Sequence, residues 1–224
     1  TATTGIGNSA TIGGLGEIGS DDAVLAATNV SVSQRLSPVS LAIEAGDRWL
    51  ITGTNGVGKS TLLQVLAGEL PPTSGHVTRL DGVRVGLLTQ ETRLPSPPAF
   101  QQWERPSASQ KNLVQWTARR AYEQAVGIDR AAEVPLSTFG LLAARDENRV
   151  VTELSVGQQR RLALAILLAN PPEVLLLDEP TNHLSLRLVT ELEQAIPDYP
   201  GAIVVASHDR WLRNTWQGKR LHLA

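Results

Sequence analysis

Two short runs hold the residues most able to do chemistry. The first is Gly53-Thr54-Asn55-Gly56-Val57-Gly58-Lys59-Ser60-Thr61, which fits G-x-x-x-x-G-K-S. Its glycines let the backbone bend tightly and leave amide N–H groups facing an anion. A lysine at Lys59 reaches the β- and γ-phosphates of a polyphosphate, and a hydroxyl at Ser60 can ligate Mg²⁺. The second run is Asp178-Glu179, at the end of the apolar stretch Val174-Leu175-Leu176-Leu177. There Asp178 can bind Mg²⁺ directly or through water, and Glu179 can orient and polarise an attacking water. Taken singly, each run also reads as ordinary structure: a strand-to-helix turn in one case, a solvated acidic turn in the other. Together they describe phosphoryl transfer to water.

Both runs need rigid elements beneath them. Arg48 to Thr52 predicts a buried strand feeding the glycine-rich loop, and Gly58 to Ala67 a helix leaving it, with Gly68 placed to close that helix. Thr28 to Val32 and Val39 to Ile43 alternate as half-buried strands, and Glu44-Ala45-Gly46-Asp47 is a turn. His76 to Arg79 and Val83 to Leu88 read as strands. Thr92 to Ser109 carries four prolines and predicts an irregular connection. Gln110 to Val126 has helical spacing, and Leu136 to Ala144 predicts a second small helix. Val156 to Ala169 predicts a helix ended by Asn170-Pro171-Pro172, and Ser185 to Ile196 another. Ala202 to Ala206 reads as a buried strand, Asp209 to Arg213 as a short helix, Arg220 to Leu223 as a last strand. Strands alternating with helices imply an α/β fold with a mostly parallel core sheet and covered faces. The ligand then belongs at the C-terminal ends of the strands. The middle region, about 92–168, interrupts the pattern as a helical subdomain. Residues 1–22 read as a linker or disordered tail, with a short edge hairpin as the alternative, and 23–224 as the folded unit.

With 42% hydrophobic residues in 224, the chain can bury the core of one large domain or of a domain with a subdomain. A formal net charge of -2 gives no global pull toward nucleic acid or an anionic membrane. The absence of cysteine excludes disulfides and thiolate metal sites. No apolar run approaches membrane-spanning length and no signal peptide is visible, so a cytoplasmic location is expected. Methionine is absent too, so the chain is expected to be processed or a piece of a longer protein.

A third run widens the reading. In Leu154-Ser155-Val156-Gly157-Gln158, Ser155 and Gln158 fit a capping box, which is a structural motif. Continued as Gln159-Arg160-Arg161-Leu162-Ala163, the segment is similar to the signature motif of the ATP-binding-cassette (ABC) family, and the chain resembles that family from Thr28 on. The resemblance implies a P-loop NTPase cassette with an antiparallel β subdomain and a helical subdomain. It implies ATP and Mg²⁺ as ligands, with Gly53, Thr54, Asn55, Gly56, Val57, Gly58, Lys59, Ser60 and Thr61 around the phosphates. Ser155 and Gly157 would bind the γ-phosphate of ATP held by a partner cassette; a capped helix N-terminus offers N–H groups and a positive dipole end for this. Gln90 looks like the Q-loop glutamine, which joins Ser60 and Asp178 at Mg²⁺. His208, in Ser207-His208-Asp209-Arg210, looks like the switch histidine, which contacts the γ-phosphate and the attacking water beside Glu179. His183 lies in the loop after Glu179, and His76 and His222 sit in no motif.

Glu179-Pro180-Thr181-Asn182-His183-Leu184 is similar to the ABC-F group, which has two tandem cassettes and no membrane domain. Gly46-Asp47-Arg48-Trp49-Leu50 and Ser207-His208-Asp209-Arg210-Trp211-Leu212 look like that group too, in particular the second cassette of actinomycete antibiotic-resistance-type members. The resemblance implies ribosome binding, with antibiotic resistance or a translation role. It implies a second cassette as partner, tandem in the parent chain or a second copy of the isolated domain. The alternatives are the ATPase subunit of a drug-exporting ABC membrane transporter and a DNA-repair or chromosome-type ABC ATPase. Two features depart from the family. Val30 to Arg35 holds no aromatic residue to stack on adenine; Arg35 either lies over the base or faces solvent, and GTP becomes a possible ligand beside ATP. Ser185 replaces an aspartate that serves communication across the cassette dimer, while still suiting a helix N-cap. Arg119, Arg120 and Lys111 are either RNA-phosphate contacts or a solvated helix face.

Overall fold

The computed structural model describes residues 22–89, 94, 116–181, 190, 196 and 198–224. Strands β1 (Ala23–Val32), β2 (Leu36–Glu44) and β4 (Ser74–Arg79) form an antiparallel sheet in the order β2-β1-β4. Strands β3 (Arg48–Thr52), β5 (Val85–Leu88), β6 (Val174–Asp178), β7 (Ala202–Ala206) and β8 (Lys219–His222) form a parallel sheet in the order β5-β6-β7-β3-β8. The fold class is thus the expected one, with a parallel core sheet and a separate antiparallel sheet.

Every residue of β6 and β7 is buried. The reason is two-sided cover, which lets a strand be apolar throughout instead of alternating. Leu175, Leu177, Ile203 and Val205 enter one core with Tyr122, Leu162 and Ala165. Val174, Leu176, Val204 and Ala206 enter the other with Leu62, Leu63, Leu25 and Ile43. Helix α1 (Lys59–Ala67) therefore lies between the parallel sheet and the antiparallel one, with Leu62, Leu63, Val65 and Leu66 buried. Gly68 ends it in the left-handed conformation (φ 78°), its N–H reaching the Val65 carbonyl at 3.0 Å.

The opposite core is covered by α2 (Ala118–Val126) and α5 (Val156–Ala169), with Ala131 of α3 (Ile128–Glu133) packed against it, and α4 (Ala144–Glu147) rests on α2. The expected single helix from Leu136 to Ala144 is instead a 3₁₀ turn, Leu136–Phe139, followed by α4. Gly140 at φ 60° ends the turn, and the adjacent Leu141 and Leu142 are both buried, so an extended step carries the chain between the two. α3 was not expected. α6 (Arg210–Thr215) falls one residue after the expected start of the last helix. The readings of residues 1–21, of Thr92–Ser109, of the start of the Gln110 helix and of the helix from Ser185 lie largely outside the described residues. Among the described residues no helix is long and apolar enough to cross a membrane.

Candidate functional site

The loop after β3 is built on glycine geometry. Gly58 has φ 106°, and a Cβ there would stand 2.4 Å from the Arg35 carbonyl oxygen. The loop backbone thus rests directly on the turn between β1 and β2, a contact open only to glycine. Gly53 packs in the same way against the chain end, where a Cβ would meet the Leu223 carbonyl oxygen at 2.6 Å. The first amide of α1 to find a helical partner is Leu62 N–H, on the Gly58 carbonyl at 2.8 Å. The amides of the preceding turn are left to face a ligand at the positive end of the helix dipole. Lys59 is only 7% exposed, and its Nζ donates to the Gly53 carbonyl at 2.9 Å and the Thr54 carbonyl at 3.0 Å. Its charge therefore sits inside the loop curve.

β6 ends at Asp178, and Glu179 follows it beside the loop, while Asp178 itself stays buried at 3% exposure and outside the lining of the opening. The Ser60 hydroxyl neighbours the Asp178 carboxylate and favours its charged form, while Asp178 Oδ1 is buried without a partner. Burial pushes the Asp178 carboxyl above the usual aspartate range, and Glu179 adds to this, while Ser60, Arg160 and Lys59 work against it. Glu179 adopts a left-handed backbone (φ 48°), uncommon for a side chain of its size. Its carboxylate is held at both oxygens: Oε1 faces His208 Nδ1 at 2.7 Å, and Oε2 accepts from the Ser207 hydroxyl at 3.3 Å. Its carbonyl accepts from Arg160 Nη2 at 2.7 Å, and the same nitrogen also donates to the Asp178 carbonyl.

These groups surround an open cleft of about 540 Å³, lined by Asn55, Gly56, Gly58, Lys59, Ser60, Thr61, Glu179 and His208, with Gln34 and Arg35 on the β1–β2 turn. Gln34 too has a left-handed backbone (φ 61°), and the exposed Arg35 side chain belongs to the cleft wall. Gly53, Thr54 and Val57 sit outside that lining, as the loop's support. Gln90 lies outside the described residues.

Ser155 and Gly157 are not brought to this cleft. They begin α5, where the capping box forms: Ser155 N–H donates to Gln158 Oε1 at 2.9 Å, and Gln158 N–H to Ser155 Oγ at 3.3 Å. Gln158 Nε2 continues to Asp146 Oδ2 at 2.8 Å, and Asp146 also pairs with Arg149 at 3.3 Å. The cap is therefore fixed from α4, yet Ser155 and Val156 face solvent, Val156 being 61% exposed. Arg119 is engaged with the buried Glu147 at 2.6 Å, which favours the structural reading of that arginine.

Sequence reasoning missed Arg160, Ser207 and Asp146. Arg160 left one signal: a charged residue four positions before Leu164, on the buried stripe of an apolar helix. Ser207 and Asp146 left none, because the Glu179 and Gln158 side chains they meet lie 28 and 12 residues away in the chain.

Known proteins resemble this chain in sequence and fold. The sequence model of the family described as ABC transporter matches residues 36–182. The tylosin resistance ATP-binding protein TlrC of Streptomyces fradiae is 43% identical over 194 residues, 87% of this chain and 32% of that protein. ABC transporter F family member 4 of Arabidopsis thaliana is 35% identical over 176 residues, 78% of this chain and 23% of that protein. The chain thus spans about a third or less of the length of these curated relatives. Among solved structures, a dimeric bacterial ABC transporter cassette superposes with a TM-score of 0.66 at 25% identity, covering 89% of this chain and 94% of the other. A post-hydrolysis structure of that cassette, bound to ADP and Pi, has the same fold, with a TM-score of 0.66 at 24% identity, and covers the same shares of the two chains.

Proposed function

This chain belongs to the ATP-binding-cassette family, as an ABC-F type ATPase cassette, and we propose that it binds Mg-ATP in the cleft and hydrolyses it when a second cassette closes the site. The observation that carries the reading is the convergence of Lys59, Ser60, Glu179 and His208 on one opening, with the buried Asp178 beside Ser60.

The loop amides and Lys59 bind the phosphates, Lys59 turning from the Gly53 and Thr54 carbonyls to the β- and γ-phosphates. Ser60 and Asp178, with Gln90, are the residues to hold Mg²⁺. A hydroxyl beside a buried carboxylate oxygen without a partner suits a small hard cation that keeps most of its ligands as water and phosphate oxygens. When bound, that ion neutralises charge on the β- and γ-phosphates. Glu179 orients the water whose oxygen bonds to the γ-phosphorus as the bond to the β-bridging oxygen breaks and its electron pair leaves with ADP. The carboxylate accepts the water's proton, and His208 steadies both the carboxylate and the γ-phosphate.

Among the described residues, Ser155 and Gly157 do not line the cleft of their own chain. Ser155 and Val156, exposed at the start of α5, and the half-buried Gly157 suit the γ-phosphate of a facing cassette, because the Ser155 hydroxyl proton and the first amides of α5 remain free within the capping box. The dimeric cassette of the same fold supports this assembly. The parent protein is then a tandem-cassette ABC-F protein, working in the cytoplasm on the ribosome and conferring antibiotic resistance or assisting translation. Its likeness to a tylosin resistance protein supports that reading.

Two experiments test it. Light scattering of the Glu179→Gln chain should show two copies associating with Mg-ATP and separating without it; a monomer at saturating ATP contradicts the assembly. The full-length parent carrying the same substitution should co-sediment with ribosomes in ATP. Equal recovery without ATP contradicts the ribosome claim.

A further inference from the structure

Arg160 is a buried cation, 2% exposed, and among the described residues it makes no salt bridge. Its hydrogen bonds go to main chain: Nη2 donates to the carbonyls of Asp178 and Glu179, and Nε is buried without a partner. A guanidinium is costly to bury. Here it grips two consecutive carbonyls where the chain leaves β6 and turns into the left-handed conformation of Glu179. The Glu179 amide is held from the other side by the Ala206 carbonyl at 2.8 Å. The peptide on each side of Glu179 is thereby fixed, and with it the direction in which the carboxylate leaves the backbone.

Arg160 also belongs to α5. It lies five residues after Ser155, roughly 7.5 Å along a rigid helix, and the start of that helix is the exposed end described above. A shift of α5 moves the guanidinium, and the guanidinium is bonded to the carbonyl of Glu179.

We infer that Arg160 is a positioning residue for hydrolysis: it aims the Glu179 carboxylate through its backbone and ties that aim to the placement of α5. The inference rests on the ATPase reading, and it deepens it by adding a link between the exposed end of α5 and the cleft.

Arg160→Met keeps an unbranched stem and removes the donors; Arg160→Lys keeps a cationic donor on a slightly shorter stem. The Met variant should lose at least about tenfold in kcat, with the ATP dissociation constant within about threefold of the unaltered chain. The Lys variant should recover kcat to within about threefold. Amide hydrogen exchange, read without nucleotide, should be about tenfold faster at Glu179 in the Met variant. Unchanged kcat or unchanged exchange at Glu179 in the Met variant overturns the inference. So does a joint fall of kcat, ATP affinity and Tm in both variants, which is the mark of a purely structural arginine. Failure of the ATPase reading would show differently, as no ATP binding by the unaltered chain.

Discussion

His208 Nδ1 lies 2.7 Å from Glu179 Oε1, joining an exposed imidazole to a buried carboxylate at the mouth of the cleft. The carboxylate is 4% exposed and the imidazole 58% exposed. The pair therefore spans the boundary between the protein interior and the space a γ-phosphate would occupy, and the imidazole is the half a ligand meets first. Its removal leaves Oε1 without its partner.

Substituting His208 by Ala should therefore leave ATP binding within about threefold and reduce hydrolysis by about 100-fold, within the usual range for a general acid–base partner. Single-turnover phosphate release together with a nucleotide titration separates the two effects.

Asp178 makes a prediction about stability with a definite sign. Burial raises its carboxyl above the usual aspartate range. The folded chain thus keeps a proton at pH values where the unfolded chain has lost it. Its contribution to stability falls as pH rises from the ordinary aspartate value through the raised one, and stays low above that. Asp178→Asn removes the cost. Thermal melts without nucleotide should place the variant above the unaltered chain near pH 8, by about 2–4 °C per kcal/mol recovered. The gap should close as pH falls toward 4, and Mg-dependent ATP hydrolysis should be lost throughout.

Gly58 and Gly56 both have positive φ, 106° and 83°, but their surroundings differ. A Cβ at Gly58 meets the Arg35 carbonyl oxygen at 2.4 Å, whereas one at Gly56 meets nothing within 4 Å. Gly56→Ala should carry only the backbone strain of about 1–2 kcal/mol. Gly58→Ala should cost more, because the β1–β2 turn must move away. Denaturant titration of the two variants should rank them in that order, and only Gly58→Ala should shift the cleft wall at Arg35.

Arg35 lines the cleft, and among the described residues no Phe, Tyr or Trp does. A guanidinium plane stacks on any purine face, so ATP and GTP should bind within about tenfold of each other. Arg35→Ala should weaken both by about fivefold, close to 1 kcal/mol for an exposed cation–π contact. Inorganic tripolyphosphate, titrated in parallel, should bind the variant unchanged. An equal loss with tripolyphosphate would make Arg35 a phosphate ligand instead.

How much of this was legible in the sequence followed from how local each signal was. The phosphate loop and the Asp178-Glu179 strand end are contiguous, and each carries its own flanking elements. The bounds of α5 were readable because Ser155 and Gln158 cap one end and Asn170-Pro171-Pro172 stops the other. The start of β5 was read too early, at Val83, because Arg84 N–H donates to the Glu173 carboxylate at 2.7 Å and the ladder begins only at Val85. Leu136–Ala144 was read as one helix because apolar spacing did not register Gly140 as a stop. Arg160, Ser207 and Asp146 depend on tertiary neighbours, which spacing along one chain does not encode.

The central claim is that Lys59 holds the phosphates and Glu179 acts only on the water. Its most direct test is a paired measurement of ATP affinity and phosphate release in Lys59→Ala and Glu179→Gln. Lys59→Ala should lose ATP binding. Glu179→Gln should bind ATP as the unaltered chain does, yet release phosphate at about 1% of its rate or less. Unchanged ATP affinity in Lys59→Ala, or unaltered turnover in Glu179→Gln, would contradict the account.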